Sequence, residues 1–246
     1  MTAPILELRG LVAGYDGVAV VHGVDLSVSP GEVVVLLGAN GAGKSTTLLT
    51  ASGLLPVLGG EVLVDGEVVG SASRRSTMGR SAALARRGLV HVPEDRGLFA
   101  DLTVREHLRL TKRNDRSPSE ADLFARFPAL ERLEGRRAGL LSGGEQQLLA
   151  LARGFLAGPK VLLVDELSLG LAPLVVQSLL PLLRELADRH NIAVLLVEQH
   201  VRLALDIADR AALMQRGRIV LEGTPAELGD QLEAIEAGYL GNGTAV

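Results

Sequence analysis

The stretch EVVVLLGANGAGKS, residues Glu32–Ser45, decides the fold because two patterns meet in it. Its first half is an apolar run without polar alternation, which predicts a strand buried on both faces of a sheet. Its second half, Gly38–Ser45, matches Gly-x4-Gly-Lys-Ser/Thr, a motif whose backbone N–H groups surround phosphate oxygens at a helix N-terminus. The motif requires a strand before it and a helix after it, and both patterns are present. The stretch therefore predicts an α/β fold with a site for nucleotide phosphates.

Other apolar runs predict the remaining strands. KVLLVDE (Lys160–Glu166) and IAVLLVE (Ile192–Glu198) also lack polar alternation, so they predict buried strands of the same mainly parallel sheet. ILELRGL, VDLSVS and EVLVDGEVV alternate better and contain turn glycines, which is typical of antiparallel strands at one edge, and RGLVHVPE predicts one more short strand. The run LVVQSLLPLLRELADRH predicts a helix after Pro173, with a kink or a break at Pro181.

The composition changes along the chain. Between Thr103 and Gly139 it becomes charged and helical, which indicates a helical subdomain inserted ahead of the segment LSGGEQQ. We expect a single domain over residues 1–240. Its parts are a nucleotide-binding core with an antiparallel β subdomain (1–100 and 158–240), a helical subdomain (about 101–157) and a frayed tail (241–246).

Composition also limits the function classes. The 246 residues carry a net charge of −4, which gives no electrostatic attraction to nucleic acid. The sequence contains no cysteine, so disulfides and thiolate metal sites are excluded. We see neither a secretory leader pattern nor an apolar run of membrane-spanning length, so we expect no signal peptide and a soluble protein in a reducing compartment.

A group of arginines invites a nucleic-acid interpretation. Aromatic residues make up only 2% of the chain, so side chains that would stack on bases are scarce. We therefore interpret the arginines as a solvated helix face rather than a binding patch. They are Arg74, Arg75, Arg80, Arg86 and Arg87.

Four residues predict chemistry at the phosphate motif. Lys44 is placed to reach the β- and γ-phosphates, and Ser45 to bind Mg²⁺. Asp165 and Glu166 end an apolar strand, so they lie at the carboxyl edge of the sheet, where α/β folds bind ligands. We expect Asp165 to hold Mg²⁺, directly or through water, and Glu166 to orient or deprotonate the attacking water.

The segment LSGGEQQ, Leu141–Gln147, poses a separate question. Ser142 and Glu145 have the spacing of a helix-capping box. A cap does not need two glycines in the first turn of the helix, where each costs about 1 kcal/mol relative to alanine. The glycines predict that some other group approaches this turn closely.

The phosphate motif, LSGGEQQ and VLLVDE, in this order, resemble the nucleotide-binding subunit of ABC transporters over about residues 5–240. The resemblance implies a P-loop NTPase core, ATPase activity, and ATP and Mg²⁺ as cofactors. It also implies two copies facing head to tail, with each ATP between the phosphate loop of one copy and the LSGGE segment of the other. A side chain on Gly143 or Gly144 would then hold the partner's γ-phosphate away from the helix start.

The resemblance implies a role for each site position. Tyr15, in AGYDG, is similar to the aromatic residue that stacks on adenine. The ATP-binding positions are Tyr15, Gly38, Ala39, Asn40, Gly41, Ala42, Gly43, Lys44, Ser45 and Thr46. The positions acting on the partner's ATP are Ser142, Gly143, Gly144 and Glu145. The Mg²⁺ positions are Ser45, Asp165 and Glu94, and the catalytic positions are Glu166, Lys44 and Gln199.

The chain departs from the family pattern at several of these places. Glu94 stands where a glutamine is usual, and a carboxylate can bind metal but cannot donate a hydrogen bond unless protonated. The switch position falls on Gln199 instead of a histidine, with His200 as the second choice. Leu167 replaces the usual proline after the catalytic glutamate, and Ala172 replaces the aspartate of the usual contact across the dimer.

The departures VPE, SLGLAP and VEQ together resemble the branched-chain amino acid uptake branch of the family. The implied partners are a second ATPase subunit, identical or different, transmembrane permeases, and indirectly an extracytoplasmic solute-binding protein, with no nucleic acid. The implied location is peripheral, on the cytoplasmic face of the membrane. Two alternatives stay open: an importer subunit for urea, amides or other small polar solutes, and a soluble scaffold ATPase for cofactor assembly.

Overall fold

The computed structural model describes residues 3–73, 77–111 and 114–229. The predicted tail 241–246 and the end of the expected domain, from residue 230 onward, lie outside the described residues. The strands are β1 Leu6–Tyr15, β2 Val18–Val28, β3 Val33–Leu37, β4 Val57–Val64, β5 Glu67–Ser71, β6 Leu89–Val92, β7 Val161–Asp165, β8 Ala193–Glu198, β9 Arg210–Gln215 and β10 Arg218–Gly223. The helices are α1 Lys44–Ala51, α2 Arg80–Arg86, α3 Val104–Leu110, α4 Glu120–Arg126, α5 Pro128–Arg132, α6 Gly143–Leu156, α7 Pro173–His190, α8 Val201–Leu205 and α9 Pro225–Gly229.

The central sheet has six strands in the order β10-β9-β3-β8-β7-β6. All neighbours are parallel except the β9–β10 pair, which is antiparallel. Every residue of β3, β7 and β8 is buried, which confirms the prediction drawn from their apolar runs. The predicted mainly parallel α/β core is therefore present, and the carboxyl ends of these strands meet at one edge.

The antiparallel strands form a sheet of their own, in the order β2-β1-β4-β5, rather than extending the parallel sheet. Apolar side chains of this second sheet, including Leu6 and Leu11, share one core with Val34, Leu36 and the α1 residue Leu48. Stacking the two sheets buries an apolar face that a simple edge extension would leave in water. The phosphate loop therefore lies where the two sheets meet α1.

Helices cover the opposite face of the central sheet. Val33, Val35 and Leu37 of β3 point to this side, because successive side chains of a strand alternate between faces. They join a core that includes Phe127 and Phe155 from the region between β6 and β7. In the described part of that region, residues 104–156, the regular elements are the helices α3 to α6 and a short 3₁₀ helix.

Helix α7 runs from Pro173 to His190 with Pro181 inside it, so the break considered at this proline does not occur. Pro181 lies on the exposed side of the helix, whereas Leu180 and Leu183 are buried in the core. Packing of the apolar face holds the helix together across the backbone hydrogen bond that proline cannot make.

Two features differ from expectation or were not predicted. Arg80 is not part of a solvated face: it is 8% exposed, and its guanidinium donates to the carbonyl of Thr50 at 3.0 Å, near the end of α1. Arg86 and Arg87 are exposed as predicted, and Arg74 and Arg75 lie outside the described residues. The β9–β10 hairpin was not predicted from the sequence.

Within the described ranges, none of the helices combines the length and apolar character needed to cross a membrane.

Candidate functional site

The phosphate loop connects β3 to α1. Gly41 and Gly43 have φ values of +79° and +105°, a backbone conformation that side chains rarely tolerate. A Cβ atom on Gly38 would lie 2.5 Å from the carbonyl oxygen of Met214 in β9, so close packing also requires this glycine. Glycine is therefore needed at both ends of the loop, for two different physical reasons.

The turn of the β9–β10 hairpin supports this loop. The Gly217 N–H donates to the Ala42 carbonyl at 2.9 Å, and the Gly217 carbonyl accepts from the His22 N–H at 2.8 Å. A Cβ atom on Gly217 would lie 2.0 Å from the Val20 carbonyl oxygen. The turn of the β9–β10 hairpin thus connects the loop to strand β2.

Lys44, the first residue of α1, is a buried cation. Its Nζ atom donates to the carbonyl oxygens of Gly38 at 2.7 Å and Ala39 at 3.2 Å, and lies 3.8 Å from Glu166 Oε1. Burial lowers the pKa of Lys44, and the nearby carboxylates, led by Glu166, oppose that shift. The ammonium can therefore exchange carbonyl partners for phosphate oxygens without leaving the site.

Ser45 and Asp165 are brought together from distant parts of the chain. The Ser45 hydroxyl donates to Asp165 Oδ1 at 3.0 Å. Burial raises the pKa of Asp165 to about 6, and the neighbouring Glu166 and Glu94 carboxylates add to this effect. A cation at this position would reverse the shift, because it would favour the ionised carboxylate.

Glu166 is held in a sparsely populated backbone conformation, with φ +44°. Its N–H donates to the Val197 carbonyl of β8 at 3.1 Å, and the residue is almost fully buried. A non-glycine residue with positive φ persists when its surroundings fix it, and such residues concentrate at functional sites. Leu167, where the family usually has proline, is fully buried beside it.

Lys44, Ser45 and Glu166 line one cavity of about 340 Å³. The predicted site residues in its wall come from the phosphate loop, the ends of β6 and β7, and the segment after β8. They are Asn40, Gly41, Gly43, Lys44, Ser45, Thr46, Glu94, Glu166 and Gln199. Val20 and Leu169 complete the lining, and neither was predicted. A cavity of this size, lined by loop backbone, a cation and carboxylates, suits a triphosphate with a metal ion.

Several predicted residues lie outside that wall, including Gly38, Ala39, Ala42 and Asp165, which lie next to residues that line it. Tyr15 and His200 lie outside it too. Tyr15, at the end of β1, is 46% exposed, so its ring is accessible to a ligand from solvent. His200 is exposed and precedes α8, whereas Gln199 faces the cavity. This difference favours the choice of Gln199 over His200, and the roles of Tyr15 and Gln199 stay predictions.

The segment LSGGEQQ forms the start of α6. Ser142 caps the helix, its N–H and hydroxyl donate to Glu145 Oε2 at 2.7 and 2.8 Å, and the Glu145 N–H returns a bond to the Ser142 hydroxyl. A Cβ atom on Gly144 would lie 2.7 Å from Val175 Cγ1, and one on Gly143 would lie 3.2 Å from Leu171 Cδ2. The chain's own α7 region therefore requires a glycine at 144. In the part of the chain that the structure describes, Ser142–Glu145 do not line the cavity at the phosphate loop.

One buried carboxylate at the site was missed. Glu198 ends β8, one residue beyond Val197, which pairs with Asp165 at the end of β7. It is 1% exposed and accepts hydrogen bonds from Ser168 and Gln199. The signal was present in the sequence, because Glu198 ends an apolar strand in the same way as Asp165 does. Ala172, where a cross-dimer aspartate is usual, precedes α7 and has no side-chain hydrogen-bonding group.

Sequence comparisons identify similar proteins. A model of the ABC transporter family matches residues 21–168, more than half of the chain. The high-affinity branched-chain amino acid transport ATP-binding protein BraG of Pseudomonas aeruginosa is 40% identical over 219 residues, covering 87% of this chain and 90% of BraG. The lipopolysaccharide export system ATP-binding protein LptB of Escherichia coli is 32% identical over 246 residues, covering 96% of this chain and 97% of LptB.

Solved structures agree with this assignment. An ATP-binding cassette of an ABC transporter, in its ADP conformation, superposes with a TM-score of 0.79 at 25% identity, covering 99% of this chain and 100% of that one. An ATP-binding subunit of another ABC transporter gives 0.77 at 28% identity, covering 96% and 99%. The chain therefore belongs to the ABC transporter family, of which it is an ATP-binding subunit that hydrolyses ATP.

Proposed function

We propose that this ATPase subunit powers the uptake of branched-chain amino acids through membrane permeases. The observation that carries the proposal is the 40% identity to BraG over nearly the whole of both chains. A probable branched-chain amino acid transport ATP-binding protein LivF of Archaeoglobus fulgidus, 34% identical over 91% of this chain, supports the same substrate class. The amino acid itself does not contact this chain; a solute-binding protein outside the membrane captures it.

The catalytic unit in this proposal is a dimer. Subunits of this family pair with each other and with transmembrane permeases. The positions of the site residues support the pairing of two ATPase subunits. Each chain places Lys44 and Glu166 in one cavity and Ser142 elsewhere, so the LSGGE segment acts on a nucleotide held by another chain. Two ATP molecules then join two chains head to tail, with the α6 N-terminus favouring the partner's γ-phosphate.

Each residue of the cavity has a role in hydrolysis. Lys44 offsets charge on the transferring phosphoryl group, as its buried ammonium allows. Glu166 aims the attacking water and accepts its proton. Gln199, in the same wall, donates an amide hydrogen bond to a γ-phosphate oxygen.

The residues present fit a magnesium ion. Ser45 and Asp165 lie within one hydrogen bond, and the raised Asp165 pKa shows a buried carboxyl whose charge a cation would stabilise. No group of three or more acidic, histidine or cysteine side chains in the described residues forms a metal site alone. This suits Mg²⁺, which takes few protein ligands and completes its shell with phosphate oxygens and water. When bound, the ion would neutralise charge on the β- and γ-phosphates, with Ser45, Asp165 and Glu94 holding it.

A groove beside the site suits a permease segment. Its volume is about 840 Å³, and its mostly apolar wall lies between β6, α2, α3 and α6. The wall includes Pro93, the neighbour of Glu94 in the chain. Leu54 and Leu110 are half-exposed apolar residues of this wall. Burial lowers the pKa of His91, another wall residue, to about 4, so this side chain is neutral at pH 7. A helical permease segment seated here would connect transport to the position of Glu94.

The groove assignment has a direct test. The variant Leu110→Glu places a charge in the apolar wall, so we expect permeases to co-purify poorly with it while ATP binding is unchanged. Val220→Glu is the matched control, because Val220 is also half-exposed but belongs to β10, outside the groove. Equal permease recovery with both variants would remove the groove from the proposal.

A second candidate function follows from the LptB relatives. Their 32% identity extends over 96% of this chain, which supports an export subunit for lipopolysaccharide. The importer for urea or amides and the soluble scaffold ATPase, considered from the sequence, stay as further alternatives.

Reconstitution separates these functions. The chain is co-expressed with candidate permeases from the same genome, and the complex is placed in liposomes with a candidate binding protein. ATP-driven uptake of labelled leucine is then measured. Uptake that competes with isoleucine and valine, and that stops with Glu166→Gln, is the expected result. Uptake of urea or amides alone, release of lipopolysaccharide, or recovery of soluble proteins instead of permeases would each overturn the proposed substrate.

A further inference from the structure

Glu198 makes three hydrogen bonds where strand β8 ends. Its Oε1 atom accepts from the Ser168 N–H at 2.9 Å, and its Oε2 atom accepts from the Ser168 hydroxyl at 2.6 Å and the Gln199 N–H at 3.1 Å. The residue is 1% exposed, so this carboxylate satisfies its hydrogen-bonding capacity inside the protein.

The two residues that Glu198 joins flank the reacting groups. Ser168 lies two residues after Glu166, and its carbonyl accepts from the Leu171 N–H at 3.1 Å, so the segment after β7 is a tight turn. Gln199 faces the phosphate cavity. One carboxylate therefore fixes the segment that carries the water base relative to the segment that carries the γ-phosphate donor.

The backbone of Glu166 needs such support. Its φ of +44° is unfavourable for a residue with a side chain, and conformations of this kind persist only where several contacts hold them. The Glu166 N–H bond to Val197 fixes one side of the turn, and the Ser168 bonds to Glu198 fix the other. Both supports come from the last two residues of β8.

We propose that Glu198 is a positioning residue that holds Glu166 and Gln199 in their working geometry across the end of the sheet. The inference rests on the proposed catalytic roles of those two residues. Glu198 does not contact the reacting atoms, so its removal leaves nucleotide binding largely intact and slows the hydrolytic step.

The test uses the full-length chain with ATP and Mg²⁺ and compares kcat, KM for ATP, and thermal stability. We expect Glu198→Ala to lower kcat by about 10- to 100-fold, since misplacement by about 1 Å costs rate on this scale, with KM changed less than about threefold. Ser168→Ala removes only the hydroxyl bond, so its kcat should fall less. The double variant should lose no more than Glu198→Ala alone, because both changes break one network.

Conservative variants separate positioning from stability. Ser168→Thr keeps the hydroxyl, so it should recover most of kcat. Glu198→Gln keeps one acceptor oxygen but turns its NH₂ group toward a backbone N–H donor, so it should recover kcat only in part. They also serve if Glu198→Ala fails to fold. Glu32→Gln is the matched control, because Glu32 is a largely buried carboxylate bonded to Ser29 N–H and Arg210 at the opposite end of β3. It should lower thermal stability without changing kcat.

The outcomes distinguish this inference from the proposed function. Normal kcat in Glu198→Ala, or additive losses in the double variant, would overturn the positioning role while Glu166→Gln stays inactive. Normal turnover in Glu166→Gln would instead overturn the catalytic assignment on which the inference depends. A loss of kcat that follows thermal stability in every variant, including Glu32→Gln, would show a structural role alone.

Discussion

Two glycine-containing turns, the phosphate loop Gly38–Ser45 and the segment Leu141–Gln147, both begin helices, but their glycines have different causes. In the phosphate loop, Gly41 and Gly43 have positive φ, so the backbone itself requires glycine. In the second turn, Gly143 and Gly144 do not have positive φ values. Gly144 is needed there because Val175 of α7 packs against it. A glycine at a helix start is therefore not by itself evidence of a nearby ligand.

The two turns also differ in charge. The phosphate loop faces Asp165, and burial raises the pKa of this residue to about 6. The second turn contains Glu145, whose pKa is lowered because the Ser142 N–H and hydroxyl bond to its carboxylate. One turn thus has a buried acid that a cation would stabilise, and the other has an acid that its own helix start already stabilises.

Glu166→Gln, a change in the cavity at the phosphate loop, should have the largest effect on ATP turnover. The amide cannot accept the water proton, so we expect turnover to fall by about 10²- to 10⁴-fold while ATP still binds. The variant should then accumulate as an ATP-bound dimer, detected by light scattering after size-exclusion chromatography. Normal turnover would contradict the assigned base, and a monomer saturated with ATP would contradict the shared site.

Lys44→Ala tests the phosphate loop through its affinity for ATP. Removing the buried ammonium takes away charge-assisted bonds to phosphate, each worth about 1.5–3 kcal/mol, so affinity for ATP should fall by about 10- to 100-fold or more. Calorimetry measures this directly. Lys160→Ala is the control, because that lysine pairs with Asp65 near the surface. Unchanged affinity in Lys44→Ala would refute the loop assignment.

Gly144→Ala tests the cause of the second turn's glycine. The added methyl meets Val175, so we expect a loss of about 1–3 kcal/mol in the free energy of unfolding, measured by denaturant titration. ATP affinity of the single chain should not change. The double variant Gly144→Ala with Val175→Ala removes the clash and should regain stability.

Turnover of that double variant sharpens the comparison further. If the partner's γ-phosphate approaches Gly144, hydrolysis stays impaired after stability returns. Full recovery of hydrolysis would mean that packing against α7 is the whole reason for this glycine.

Asp165→Asn tests how the charge of the Asp165 carboxyl affects the stability of the chain without nucleotide. The folded chain binds the Asp165 proton more tightly than the unfolded chain, so this residue costs stability as pH rises through about 4 to 6. The variant should therefore be more stable than the original chain at pH 7, by at most about 3 kcal/mol, and the gain should vanish below pH 4. Thermal unfolding over this pH range measures the effect. A variant less stable at pH 7 would contradict the sign.

Glu145→Gln gives the smallest effect, and its sign is opposite. The lowered pKa means that Glu145 contributes stability above its ordinary pKa and loses it as pH falls through that range. Glutamine retains the capping bonds without the charge, so we expect a loss below about 1 kcal/mol at pH 7. The same unfolding measurements should show this loss disappearing in acid. A gain in stability at pH 7 would contradict the inference that ionised Glu145 stabilises its turn.

Local sequence patterns predicted the parts of the molecule that local physics determines. The buried strands β3, β7 and β8 followed from apolar runs, and the phosphate loop followed from its motif and flanking context. The separate antiparallel sheet could not be placed, because its position depends on stacking between regions distant in sequence.

The errors have the same origin. The buried position of Arg80 depends on the end of α1 packing beside it, and the sequence near Arg80 carries no sign of that contact. The role of Glu198 depends on Ser168, 30 residues away, so the strand pattern gave its position but not its partners. The short β9 strand, RAALMQ, is rich in alanine, which strands disfavour, so it gave a weak signal.

The support of the phosphate loop by the β9–β10 hairpin has a consequence for synthesis of the chain. The motif at 38–45 leaves the ribosome before Met214 and Gly217, which pack against it, are made. A nascent polypeptide therefore carries the phosphate motif without the backing that shapes it. Nucleotide therefore meets a phosphate loop with its full backing only after the β9–β10 hairpin has folded against it.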